Sequence, residues 1–187
     1  MKVIYCVPLF TQSWDLEDWK DLGFESKEDA KYWMESCCGI LCIKEIATFF
    51  NKKDYSTWGL IQKGLSLNAY SHKNGWSHEG LVLLAQSLGL KGESGNLGIG
   101  DLQKALDQKK LPIVSIKWAF VPTKTLKEKL FFWKKYGGHL AVIVGYDDKG
   151  FFVNHTSIKK NKNWKARHIP YKQFQASYTG RAILVWK

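Results

Sequence analysis

Cys38 and His139 are the residues of this chain with the most chemical reach. Cys38 precedes Gly39 and a stretch, to Phe50, that sets Ile43, Ile46, Ala47 and Phe50 on one stripe of helical period. The thiol therefore belongs at the opening of a helix, where unpartnered backbone N–H groups and the macrodipole favour an anion. A thiol pKa below its ordinary value, and hence a nucleophilic thiolate, is the expected consequence. Gly39 is read as clearing room for a substrate carbonyl. A buried structural thiol is the plain alternative. His139 follows Gly137-Gly138 and opens the apolar run Leu140 to Val144. An imidazole at a strand mouth, after glycines that let another backbone come close, is where a general base would be placed. A surface histidine on a loop is the competing reading.

Two further positions complete a constellation. The segment Tyr146-Asp147-Asp148-Lys149-Gly150 parts two apolar runs as a hairpin turn does. The end of the returning strand is then expected beside the start of the first, and Asn154 and His155 lie there. Either could hydrogen-bond the His139 ring and fix its tautomer. Gln12 follows a strand-like N-terminal run, and its amide could donate to a tetrahedral oxyanion together with the Cys38 N–H. Each feature is weak alone; the order Gln, Cys, His, Asn along the chain carries the weight.

These side chains need a frame, and the pattern predicts an α+β one over residues 1–187 as a single domain. A helical half, about 1–110, precedes an antiparallel half, about 111–187. Helices are expected over Gly39 to Phe50, over Thr57 to Leu65, from the cap Ser77 through Leu81, Leu84 and Leu88 to a stop at Gly89, and over Ile99 to Gln108. Strands are expected over Ile113 to Phe120, His139 to Tyr146, Phe151 to His155 and Ala182 to Trp186, with one helical turn at Tyr171 to Ser177.

Composition narrows the function classes. At 187 residues, 45% hydrophobic and 24% charged, the chain has an ordinary globular balance. No apolar run is long enough to span a bilayer. The N-terminal run carries Pro8 and no small-residue cleavage site, so it reads as a strand and not a signal peptide, and a cytoplasmic location is expected. Of Cys6, Cys37, Cys38 and Cys42, three crowd into one short stretch, which suits a reduced compartment better than a disulfide framework. The formal charge of +11 includes the run Lys159-Lys160-Asn161-Lys162. It reads as solvated surface, and no specific nucleic-acid partner is expected, because no zinc-finger, recognition-helix or phosphate-loop pattern accompanies it. The glycines around 95–100 lack both the Lys-Ser/Thr ending and a preceding strand. Cys38 and Cys42 with His72, His78, His139, His155 or His168 could in principle hold zinc, but no second paired motif supports it, and neither metal nor cofactor is expected. Trp58, Trp76, Trp118 and Trp133 read as core packing before cleft walls.

Taken together, VPLFTQSWD, SCCGILCIKEI, GWSHEGLVLLAQSLGL, GGHLAVIVGYDDKGFFVNHTS and GRAILVW resemble the papain-like cysteine peptidases that process bacteriocin leaders at double-glycine sites, and their stand-alone relatives. The resemblance covers almost the whole chain in order. It implies a papain-like fold, with Gln12 as the oxyanion residue, Cys38-Gly39 as the nucleophile pair and Gly138-His139 as the base. Because glycine follows Cys38 and not Cys37, Cys38 is the nucleophile and Cys37 a neighbour without a required role. The family usually has Asp as third member; this chain reads Asn154-His155-Thr156 at that place, so Asn154 takes over the orienting of His139 by a local shift, His155 does it less well, or the chain is an inactive relative. The implied activity is thiol hydrolysis of a peptide bond in a peptide or protein substrate. A non-catalytic peptide-binding module, or an acyltransferase or deamidase on the same site, are the alternatives.

Overall fold

Serine caps and glycine stops set the helical layer. In the computed structural model, which describes residues 3–117, 120, 138–156 and 164–187, Ser26 accepts from the Asp29 N–H at the start of α1 (Lys27–Ser36). Ser56 accepts from Gly59 at the start of α3 (Thr57–Ser66), and Ser77 from Gly80 at the start of α4 (His78–Ser87). Each such cap is worth about 1 kcal/mol. Gly89, at φ +78°, ends α4 as its sequence position predicts. Between them α2 (Cys38–Asn51) is the most deeply buried helix, with every residue from Gly39 to Ala47 inside. α5 (Ile99–Asp107) and α6 (Tyr171–Ser177) complete the α-helices among the described residues, beside one 3-10 turn at Leu16–Trp19.

The strands are β1 (Val3–Ile4), β2 (Tyr70–Ser71), β3 (Gly75–Trp76), β4 (Lys91–Asn96), β5 (Leu111–Ile116), β6 (His139–Tyr146), β7 (Gly150–Asn154), β8 (Arg167–Pro170) and β9 (Tyr178–Trp186). Six of them run antiparallel in the order β4-β9-β5-β6-β7-β8, with β1 pairing the far end of β6, while β2 and β3 form a separate hairpin. The expected α+β architecture is present. β5 and β6 are buried almost throughout, and Ile113, Val142 and Ile183 meet across β5, β6 and β9 in register. β-branched side chains fill such a pleated, two-sided core well.

Several boundaries differ from the sequence reading. Only Val3–Ile4 of the N-terminal run pairs as a strand. β4 contains Gly95 and precedes Gly98 and Gly100, against expectation, although the Lys-Ser/Thr ending is still absent. The expected strand to Phe120 ends at Ile116. Gly137, Trp118, Trp133 and the lysine run 159–162 lie outside the described residues.

Candidate active site

Cys38 is the first residue of α2, and its cap, Cys37, offers no side-chain hydrogen bond to the helix start. The first amides of the helix are therefore left for whatever lies in front of them. The backbone N–H groups of Leu140, Gly39 and Cys38 itself favour the thiolate, but burial outweighs them and pushes the half-buried thiol above its usual value. This corrects the expected lowering: desolvation of the charged form is larger than the pull of the helix terminus. Cys37, fully buried, is raised as well, chiefly by burial. Packing places β6 here: Leu140, one residue beyond His139, would meet a Cβ on Gly39 at 3.2 Å.

Gly39 also has a different role from the one expected. A Cβ there would lie 2.9 Å from Leu81 Cδ1 and 3.2 Å from both Leu140 Cδ1 and Trp76 Cβ. The missing side chain lets α2 close on β6, α4 and β3, and leaves no opening for a substrate. At Gly138, by contrast, no atom of the described residues lies within 4 Å of where a Cβ would sit. Trp76 seals this corner from behind by donating its indole N–H to the Ser36 carbonyl at 2.7 Å.

His139 opens β6 opposite Ile116. Its Nε2 is buried and has no hydrogen-bond partner among the described residues. Burial, and then the neighbouring His155, push its pKa down to about 3, so the resting imidazole is neutral. The His155 ring lies 4.5 Å from it, centroid to centroid, at an interplanar angle of 35°.

Asn154 goes elsewhere. Its amide donates to Glu45 Oε2 at 3.2 Å and to the Pro8 carbonyl at 3.1 Å, and its oxygen accepts from the Ala166 N–H at 2.8 Å. The reading in which Asn154 takes over the orienting role is therefore corrected. The hairpin register sets Asn154 against Val142, not His139, and both ends of its amide are spent on the other side. Structure brings His155, not Asn154, to the His139 ring.

Gln12 is held at both ends. Its backbone N–H donates to the Thr156 carbonyl at 2.9 Å, its Oε1 accepts from Thr156 Oγ1, and its Nε2 donates to the Met34 carbonyl at 3.1 Å. The tie to Thr156 sets it beside the strand end that carries His155, and the tie to Met34 beside the last turn of α1. One amide hydrogen is committed to Met34, and among the described residues the amide has no other acceptor.

Glu45 escaped the sequence reading. It is fully buried on α2, accepts from the Phe10 N–H at 3.2 Å and from Asn154, and burial pushes its carboxyl well above the usual carboxylate range. The available signal was an acidic residue set among Cys42, Ile43, Ile46 and Ala47 with no solvated face to occupy.

This geometry has relatives. The model of the Peptidase_C39 like family matches residues 43–182, a span that begins past Cys38 and includes His139 and His155. No curated protein is significantly similar in sequence. A C39-like peptidase from Bacillus anthracis superposes with a TM-score of 0.65 at 15% identity, over 100% of this chain and 98% of that one. The peptidase domain of Streptococcus ComA, a bi-functional ABC transporter of a quorum-sensing pathway, gives 0.58 at 20% identity over 81% and 92%. A double glycine motif protease from an AMS/PCAT transporter, solved with its leader peptide, gives 0.58 at 14% over 98% and 94%. At such identities the superpositions establish the papain-like fold alone. The family match covers most of the chain: this protein belongs to the Peptidase_C39 like family.

Proposed function

We propose that the protein is a cysteine peptidase-type hydrolase in which Cys38 attacks a peptide carbonyl and His139 serves as its base. The observation that carries the reading is the packing of the helix start against the strand mouth: a Cβ on Gly39, next to Cys38, would lie 3.2 Å from Leu140 Cδ1, next to His139. Because the thiol is raised and the imidazole lowered, the pair rests neutral. His139 then takes the thiol proton as the sulfur closes on the carbonyl carbon, and does not wait on a preformed ion pair. The oxyanion falls between the Cys38 N–H and the second amide hydrogen of Gln12. The imidazolium returns the proton to the leaving amine, and a water activated by the same ring resolves the thioester. His155 is a positioning residue in this scheme.

A peptide substrate is supported by the neighbour solved with a leader peptide, and a cytoplasmic, reducing location by the four unbridged cysteines. No helix among the described residues is long and apolar enough to cross a membrane. A second reading, a non-catalytic peptide-binding module, draws on the absent third-member carboxylate and the neutral pair. The two separate on Cys38→Ala in a turnover assay with a panel of peptides. The enzyme loses all turnover and stays folded, whereas a module shows none to lose and binds peptide as before.

A further inference from the structure

Where the family resemblance implies an Asp beside His139, this chain has a column of tilted and edge-on rings. His155 meets His139 at 4.5 Å and 35°, and meets Trp164 at 5.0 Å and again 35°. Phe120 closes on the His155 ring edge-on, at 6.2 Å and 72°. Beyond Trp164 the Arg167 guanidinium covers the indole at 4.0 Å. The run of contacts is thus guanidinium, indole, imidazole, imidazole, with His155 as the ring that both its neighbours touch. Such separations and tilts lie in the range where aromatic pairs and cation–π contacts contribute beyond plain burial.

The column is built into the backbone. The His155 N–H donates to the Trp164 carbonyl at 3.4 Å, and Ala166, in the left-handed region at φ 46°, donates its N–H to Asn154. Arg167 then opens β8 paired with Val153. Trp164 is buried to 5% exposure and His155 to 1%, so both rings are enclosed at the end of β7.

We propose that Trp164 is a positioning residue for His139, acting through His155, with Arg167 closing the outer end, so that tilted ring-on-ring stacking does the orienting that a hydrogen-bonded carboxylate does in the family's usual site. A carboxylate fixes a histidine by a directional bond and stabilises its cation. A ring face fixes the plane of the imidazole and offers that cation no countercharge. The inference rests on His139 acting as base for Cys38.

The test uses the full chain and needs no substrate. Iodoacetamide modification of Cys38 at pH 7.5 is followed by mass spectrometry, with the exposed Cys6 as internal reference. His139→Ala sets the floor. Trp164→Leu is expected to slow Cys38 by about tenfold, a partial loss of what a general base supplies, while Trp164→Phe stays within about twofold and Cys6 is unchanged. A folded Trp164→Leu variant that reacts at the wild-type rate overturns the proposal while leaving the Cys38–His139 pair intact. A wild-type rate no faster than that of His139→Ala overturns the pair, and the proposal with it. Should Trp164→Leu not fold, wild-type NMR decides: stacking requires upfield ring-current shifts of the His155 ring protons, and ordinary shifts refute it.

Discussion

Asn154 and His155 are neighbours in sequence but belong to two regions held by different forces. On the Asn154 side, a buried amide joins Glu45, Pro8 and Ala166 through directional hydrogen bonds, and Phe10 adds its N–H to the same carboxyl. On the His155 side, aromatic faces and edges meet, and the His139 Nε2 is left without a partner among the described residues. The first region answers to polar satisfaction: remove one group and a buried carboxyl is stranded. The second answers to shape, and a smaller ring can replace a larger one at modest cost. The polar side ties the N-terminal segment to α2 and β7, while the aromatic side packs around His139, the base of the proposed scheme. The chain thus separates holding the fold from aiming the chemistry.

Substitutions that hit one region and spare the other sharpen this contrast. The largest effect belongs to the reacting pair: Cys38→Ala is expected to abolish peptide turnover with the urea midpoint nearly unchanged, and His139→Ala to lower turnover by about 10³-fold while still unfolding in one cooperative urea transition. Equal turnover in either variant would break the account. On the polar side, Asn154→Ala leaves the Glu45 carboxyl with the Phe10 amide alone, and is expected to cost about 2–3 kcal/mol in urea unfolding. A loss under 1 kcal/mol would mean that water replaces the amide and that the clamp is not structural.

Acid titration gives an intermediate effect. The unfolded chain binds a proton at His139 between about 6.5 and the folded value of about 3, where the folded chain does not. Stability from this residue is therefore fully present above about pH 6.5 and is lost as pH falls toward 3. Between pH 7 and 4, His139→Gln should lose less stability than wild type; parallel losses would show that the ring is solvated and free to charge. The smallest effect is expected at the spare thiols. Cys37→Ala and Cys42→Ala should keep turnover within about threefold while costing roughly 1 kcal/mol from their buried sites. A dead Cys37→Ala variant would reassign the nucleophile.

The sequence made some of this legible and hid the rest for physical reasons. α2, α4 and α5, the β6–β7 hairpin and α6 could be read because their signals are local: a period, a serine cap, a glycine stop, a turn. β4, with the sequence KGESGN, shows no strand pattern because it is an exposed edge that exists only through pairing with β9. Glu45 was hidden because a charge on a helix is ordinarily solvated, and only the arrival of Phe10 and Asn154 from distant segments makes burial tolerable. The choice between Asn154 and His155 was invisible for a similar reason. Chain order put both near His139, but the direction of each side chain depends on what packs against either side of the strand end. The sign of the Cys38 shift depended on how deeply the helix start is covered, which the helix itself does not encode.

The most direct test of a working Cys38–His139 pair is mass-spectrometric mapping of the adduct from a peptide carrying a carboxy-terminal vinyl sulfone, in wild type and His139→Ala. The account predicts one adduct, on Cys38, formed rapidly in wild type and at least about tenfold more slowly without the imidazole. An adduct on Cys37 or Cys6 instead, or a Cys38 rate that ignores the loss of His139, would contradict it.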